Sequence, residues 1–427
     1  MSDLVCTPGS AIQVRDMVEA INSKEDKMVA GGDAIGVPGA VGFGVGAILA
    51  DDLPANWVKL AGHNDPASSN YGNVLDPTGS VMVWIPAFYF KWNVDNTVEV
   101  SDVPASGFAL HRAFIDGGLE KRGVVVDKYG CGNVAGVFAS KQGIDPCSTH
   151  VDHNPIANLN NTPPNRYGGL YEAVKTRSTD HLLTSIFIYN ALAILAHTQG
   201  KAGANCAFAD VSPFHPKGCN NNALKDSNDT SVTFTASGYS NCAMTGSGVP
   251  FAKTTHNGQE SGVADLNGNM YEVASGFIKH GASDAIFEIL KESTNLSHIQ
   301  NDGTTQGGGG AYDKDLYDDL DLTGSMDADA TSRFGDAGNQ VFMMNTDRTT
   351  EQYKMTTAGL PMIGGYSAGG TTEFGNDYYR EYWRDLMAPV VGGVWNNASN
   401  AGVFYLAVNS SRTHTLSTVG GRASVYL

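Results

Sequence analysis

Basic residues are scarce in this chain. Against 44 Asp and Glu stand only 27 Lys and Arg, giving a formal net charge of -17, and no Lys/Arg cluster reverses that balance locally. Such a field repels a phosphate backbone and argues against nucleic-acid binding. Long apolar runs are missing as well. No stretch reaches the roughly 18 to 20 residues of a membrane-spanning helix, so no membrane insertion is expected. Met1 to Cys6 carries no basic region followed by an apolar core, which predicts cytoplasmic synthesis without a signal peptide. The six cysteines are widely spread and form no C-x-x-C, so reduced, buried thiols are the expected state, with Cys206 to Cys219 as the alternative bridge. Neither metal nor disulfide is required for a chain of 427 residues to bury a core.

What is abundant is glycine, 51 residues, together with Asn, Ser and Thr, while charged residues make up only 17%. Short strands and ordered loops suit that composition better than helix bundles, giving a loop-rich α+β class. Residues 1–79 read as an N-terminal arm. Ile12, Val14, Met17, Val18 and Ile21 keep helical spacing before Gly31 and Gly32. A Gly-rich stretch from Ala34 to Ala47 follows, suited to close backbone packing in an oligomer or docking contact, or to a linker lying on the domain.

The main domain is expected over residues 80–427. Val81 to Trp92 and Gly123 to Tyr129 read as strands, with Pro86 at an edge or bulge. Asp180 to Ala196 is the clearest helix, with Thr179 or Asp180 as cap and Gly200 as stop. Lys279 to Gln340 reads as an insertion near 280–340, with solvated loops at Gly307–Gly310 and at the acidic Asp313–Asp321. The aromatic run Phe374 to Trp383 reads as core.

Several groups carry the residue types of a site. Cys147, His150 and His153 are spaced as a fragment of a metal site, although a fourth ligand is not evident and a polar loop is the favoured reading. Asp265, Asn267 and Asn269 offer oxygens at alternate positions around Gly268. That pattern suits a structural calcium ion or, as the favoured reading, side-chain bonds to turn amides. Glu272, His256 and Asp265 could be arranged as acid, base and orienter. No G-x-S-x-G, P-loop or dinucleotide-binding glycine pattern follows a strand.

The last stretch, 390–422, combines a fixed frame with exchangeable contents. Gly392, Gly393, Trp395, Gly402, Val419, Gly420 and Arg422 shape backbone or fill space. The intervening residues are mostly small, polar or adaptable. A binding protein with its recognition surface here is the leading reading, and an enzyme on the same frame the second.

Three segments taken together, Val83-Trp-Ile-Pro-Ala-Phe-Tyr-Phe90, Gly262-Val-Ala-Asp-Leu-Asn-Gly-Asn-Met-Tyr-Glu-Val273, and Gly392-Gly-Val-Trp395 with Val419-Gly-Gly-Arg422, resemble the formylglycine-generating-enzyme branch of the C-type lectin fold. The resemblance is to phage tail-tip proteins and to the variable proteins of diversity-generating retroelements in particular. It implies a ligand face opened by Gly392, Gly393 and Trp395 and closed by Gly420 to Arg422. The face would comprise Val394, Asn396, Asn397, Ser399, Asn400, Phe404, Tyr405, Ala407, Asn409, Thr413, His414, Thr415, Leu416, Ser417 and Thr418.

In retroelement systems template adenines are randomised, so an AAC codon never yields Lys, Glu, Gln, Met or Trp. None of those five occurs from Asn396 to Leu427. The resemblance therefore implies an adhesin displayed on a virion or cell surface, with a host protein or glycan as ligand and a homotrimer or virion attachment as assembly. A fixed-sequence tail or glycan-binding lectin is the alternative, and an oxidase of the family the weaker one. The cysteine pair of the oxidases has no counterpart beyond Cys242, and the calcium-site tripeptides of animal lectins are missing.

Overall fold

A computed structural model describes residues 34–49, 52–95, 97–209, 216, 242–248, 251–266, 268–279, 286–296, 314–321, 331–334, 342, 345–361, 371–381 and 386–427. The expected N-terminal helix, Gly307–Gly310, Trp383, Cys6 and Cys219 lie outside these residues. The chain mixes α and β structure, mostly sheet with few helices. Among the described residues no helix is long and apolar enough to cross a membrane.

Val81 to Trp92 supplies two strands rather than one, Val81–Pro86 and Tyr89–Trp92, because Pro86 has no amide to extend the ladder and the chain changes sheet there. One six-stranded sheet runs in the order Val58–Lys59, Asn73–Leu75, Val81–Pro86, Gly123–Asp127, Ala423–Tyr426 and Leu182–Leu183, antiparallel throughout. Two of its strands precede Ser80, so the expected boundary between residues 1–79 and 80–427 does not divide the packed body. The Gly-rich stretch belongs to that body too. Ile35 and Phe43 are buried, and the carbonyls of Phe43 and Gly44 accept from Asn257 Nδ2 (2.9 Å) and His256 Nε2 (3.0 Å). At Gly44, with φ +76°, a Cβ would stand 3.0 Å from His256 Nε2, which is why glycine is needed at that contact.

The second six-stranded sheet is mixed, in the order Thr331–Arg333, Tyr378–Glu381, Leu406–Ser411, Met387–Val391, Tyr271–Val273 and Val419–Gly420. Its parallel pairs are Tyr378–Glu381 with Leu406–Ser411, and Tyr271–Val273 with Val419–Gly420. The acidic stretch expected as a solvated loop instead forms the strand Tyr317–Asp321, paired with Ile286–Leu290, and it seats Tyr317 and Leu320 in the core.

Helix Ile186–Ala202 begins six residues later than the sequence suggests. Leu182–Leu183 is captured as an edge strand by Ala423 and Ser424, so Ser185 becomes the cap and its Oγ accepts from Ile188 N. Gly203, with φ +69°, ends the helix, and Gly200 lies inside it. Ile186 to Gly200 are buried on every side, which accounts for apolar residues all round rather than along one stripe.

Candidate ligand-binding face

Strand Met387–Val391 leads into two consecutive glycines with positive φ, Gly392 at +81° and Gly393 at +76°. A Cβ on Gly393 would lie 2.5 Å from Ala401 Cβ, so glycine is required there by both backbone and space. The turn is closed by Gly402 N donating to Gly392 O (3.0 Å) and by Trp395 N donating to Asn269 O (3.2 Å). A 3-10 helix, Trp395–Asn400, follows. Val394 and Trp395 pack with Cys242 and Met270 beneath it.

After strand Leu406–Ser411 the chain leaves this sheet and rejoins it at Val419, beyond strands Met387–Val391 and Tyr271–Val273. The crossing segment is tied down along its length. Tyr167 N donates to His414 O (2.9 Å), Leu416 N to Thr149 Oγ1 (3.1 Å), Thr415 Oγ1 to Thr149 O (2.6 Å), and Tyr271 N to Thr418 O (3.0 Å). Arg412 is buried and donates to Tyr171 Oη (3.1 Å).

The frame closes at Arg422, which is wholly buried. Its Nε donates to Glu272 Oε2 (2.6 Å), its Nη2 pairs with Glu272 Oε1, and its Nη1 donates to Ala264 O (2.9 Å). Tyr189 Oη also donates to Glu272. Burial works against charge on Arg422, and Glu272 more than offsets it, keeping the guanidinium protonated.

The residues expected on the face divide into three groups. Asn396, Ser399, Thr413, Thr415 and Leu416 are exposed, and Asn409, His414, Ser417 and Thr418 are partly so. Asn397 and Asn400 are partly exposed but serve the scaffold: Asn397 Oδ1 accepts from Val394 N (2.9 Å), and Asn400 Oδ1 accepts from Arg333 Nη2 (3.1 Å). Val394, Phe404, Tyr405 and Ala407 are buried and are corrected from contact residues to core residues. Phe404 stacks edge-on to Phe374 (5.3 Å between centroids), and Tyr405 packs on Tyr271 (5.5 Å), its hydroxyl donating to that of Tyr271. These rings meet other rings inside the sheet, so they supply no area to a partner.

The calcium reading and the acid–base reading both meet groups already engaged. Asp265 spends both carboxylate oxygens on backbone amides, Oδ1 accepting from Gly246 N (2.8 Å) and Oδ2 from Gly130 N (3.1 Å). Burial nonetheless pushes its pKa up to about 6. Asn269 pairs its amide with both backbone groups of Ala243, and Asn267 lies outside the described residues. His256 accepts Val263 N at Nδ1 (3.0 Å) and donates from Nε2 to Gly44 O, and burial drops its pKa to about 4. Glu272 is held by Arg422 and Tyr189. Each of the three imagined catalytic groups is thus committed to a structural partner.

Of the run Cys147, His150 and His153, the three members do not converge. Cys147 is buried in a separate apolar cluster, and His150 pairs with Asp152 (3.2 Å). Cys131, Cys147, Cys206 and Cys242 are not joined to one another by disulfides. A cavity of about 510 Å³ away from the terminal segment was not foreseen; Arg112, Glu292, Arg348 and Lys354 line it, drawn from three separate segments.

No family model matches the chain, and no curated protein matches it in sequence. Among the solved structures similar to it are two variants of one protein. One is "Major Tropism Determinant I1 Variant", at 11% identity and TM-score 0.29, over 82% of this chain and 65% of that one. The other is "Major Tropism Determinant U1 Variant", at 12% identity and TM-score 0.30, over the same shares. The chain spans about 65% of the length of the structures it matches.

Proposed function

We propose that this protein is a receptor-binding adhesin of a phage or virus, built on a C-type-lectin-like domain that presents residues of its C-terminal segment to a host-surface protein or glycan. One observation carries the reading. Within 390–422 the frame residues Gly393, Trp395 and Arg422 are locked by close packing, buried contacts and a buried ion pair, while Asn396, Ser399, Thr413, Thr415 and Leu416 reach solvent between them. Small polar groups such as Asn396, Ser399 and Thr413 adapt their hydrogen bonds to different partners and suit recognition, whereas Thr415 also ties the segment to Thr149 through its hydroxyl. Retroelement-driven variation, trimeric assembly and virion attachment extend the same proposal, and adhesion requires no cofactor.

Sequencing the coding region of residues 390–427 across a natural population tests it. Substitutions gathered at the five exposed positions, with Gly393, Trp395 and Arg422 unchanged, are the expected outcome. Changes spread evenly over frame and surface would defeat the frame-and-contents reading. A uniform segment would remove programmed variation and leave a fixed adhesin, which binding of the purified chain to host cells, and its loss on Thr413→Ala with Leu416→Ala, would test separately.

A further inference from the structure

Three ligand-type atoms from two separate segments, Asp145 and His153 on one loop and Cys242 on another, meet beneath the crossing loop. His153 Nε2 lies 2.9 Å from Asp145 Oδ1, and Cys242 Sγ lies 3.8 Å from each of them. Other bonds place each residue. Asn154 Nδ2 donates to Asp145 O (2.7 Å), the His153 carbonyl accepts from Ser148 Oγ, and Ala243, next to Cys242, is paired by Asn269. The side chain of His153 is 1% exposed and that of Asp145 34%, so the cluster is buried on the imidazole side and open beside the carboxylate.

We infer that Asp145, His153 and Cys242 form a site for a thiophilic divalent transition metal such as zinc, which ties the crossing loop to the body of the domain. A thiolate, an imidazole and a carboxylate are ligands zinc accepts together, whereas calcium and magnesium prefer oxygen throughout. Distances agree with that assignment. Tetrahedral zinc with ordinary bond lengths separates sulfur from nitrogen or oxygen by roughly 3.6 Å and nitrogen from oxygen by roughly 3.3 Å. Cys242 already stands at such a separation, and the half-exposed Asp145 needs to withdraw by about half an ångström from its present contact with His153.

The orientation of the imidazole agrees as well. His153 Nδ1 donates to Ser417 O (3.0 Å), which fixes the ring and turns Nε2 toward the cluster, the outer-shell arrangement usual for a metal-binding histidine. Among the described residues three ligands converge, and a fourth position beside Asp145 would be filled by water or a further ligand. The bond to Ser417 also joins the site to the segment bearing Thr413, Thr415 and Leu416. The effect of metal on ligand binding follows only if the proposed adhesive role holds; the metal site itself does not depend on it.

Cobalt titration of the full-length, reduced and chelator-treated protein tests the site directly. One equivalent of Co²⁺ is expected to give a near-ultraviolet thiolate-to-cobalt band and visible tetrahedral bands, displaced by Zn²⁺. Cys242→Ser and His153→Ala should abolish the thiolate band, and Cys206→Ser should retain it. A folded wild-type protein without that band, or a band that survives Cys242→Ser, overturns the proposal and leaves an imidazolium–carboxylate pair beside a buried thiol. If the buried variants fail to fold, Asp145→Asn decides: affinity should fall at least roughly tenfold, and unchanged affinity overturns the site. Zinc should also slow amide exchange over 413–418, and exchange unaltered by bound zinc overturns the tie to the loop.

Discussion

Arg422 shows how a single buried charge can hold a segment's end in place. Its guanidinium spans Glu272 and the carbonyls of Asp127 and Ala264, so three chain segments are registered by one side chain. Removing either partner strands the other charge away from water. Arg422→Ala or Glu272→Gln is therefore expected to cost about 3 to 5 kcal/mol in urea denaturation. Two buried histidines make a pH prediction at the same scale. His111 and His256 each accept a backbone amide at Nδ1 and donate from Nε2, an arrangement with no room for a second proton, and burial lowers each from 6.5 to about 4. Between those values the unfolded chain binds more protons, so the stabilisation is fully present above pH 6.5 and is lost as pH falls to 4. Each histidine accounts for at most about 3 kcal/mol. Asp265, raised from 3.8 to about 6, acts oppositely: its contribution is present below 3.8 and lost as pH rises through 6. Two histidines against one aspartate leave a net loss toward acid. Denaturation midpoints at pH 7 and pH 4.5 check this, and the loss should shrink in a His111→Asn, His256→Asn variant.

At the scale of elements, the turn at Gly392 and Gly393 and the cap at Ser185 make opposite demands on side chains. Gly393→Ala forces a Cβ into Ala401 at positive φ and is expected to cost about 2 kcal/mol or more. Ser185→Ala only removes one acceptor at the start of the long helix and should cost about 1 kcal/mol. Thermal melts of the two variants would rank them. The glycine turn was legible because consecutive glycines before a tryptophan have few other uses. The helix cap was not. Thr179, Asp180 and Ser185 are all competent caps in sequence, and the choice is made by Ala423 and Ser424, more than two hundred residues away, which draw Leu182–Leu183 into a strand. The same blindness to distant partners explains Phe404 and Tyr405. Beside so many polar residues they read as contact aromatics, and only the arrival of Phe374, Tyr271 and Tyr378 turns them into core. Cys242 likewise lies 97 residues beyond Asp145 and 89 beyond His153, and no spacing rule could join it to them.

Across the whole molecule, the terminal segment is anchored in two different sheets. Met387–Val391 precedes it in the mixed sheet, and Ala423–Tyr426 follows it between Gly123–Asp127 and Leu182–Leu183 in the antiparallel one. With both ends fixed, substitutions between them should sort by burial rather than by position in the chain. Exposed changes typically alter stability by less than about 0.5 kcal/mol each, so those at Asn396, Ser399, Thr413 and Leu416 sum to no more than about 2 kcal/mol, and loss of the Thr415 bond to Thr149 adds about 1 kcal/mol. That fits within the roughly 5 to 15 kcal/mol of an ordinary domain. Phe404→Ala alone should cost about 3 to 5 kcal/mol, as much as all the exposed changes together or more. A displayed full-length library randomised at the five exposed positions should therefore survive protease challenge nearly intact. One randomised at Val394, Phe404, Tyr405 and Ala407 should be almost wholly digested. Equal survival of the two libraries would mean that the sheets do not fix the segment, and that the division into frame and contents is wrong.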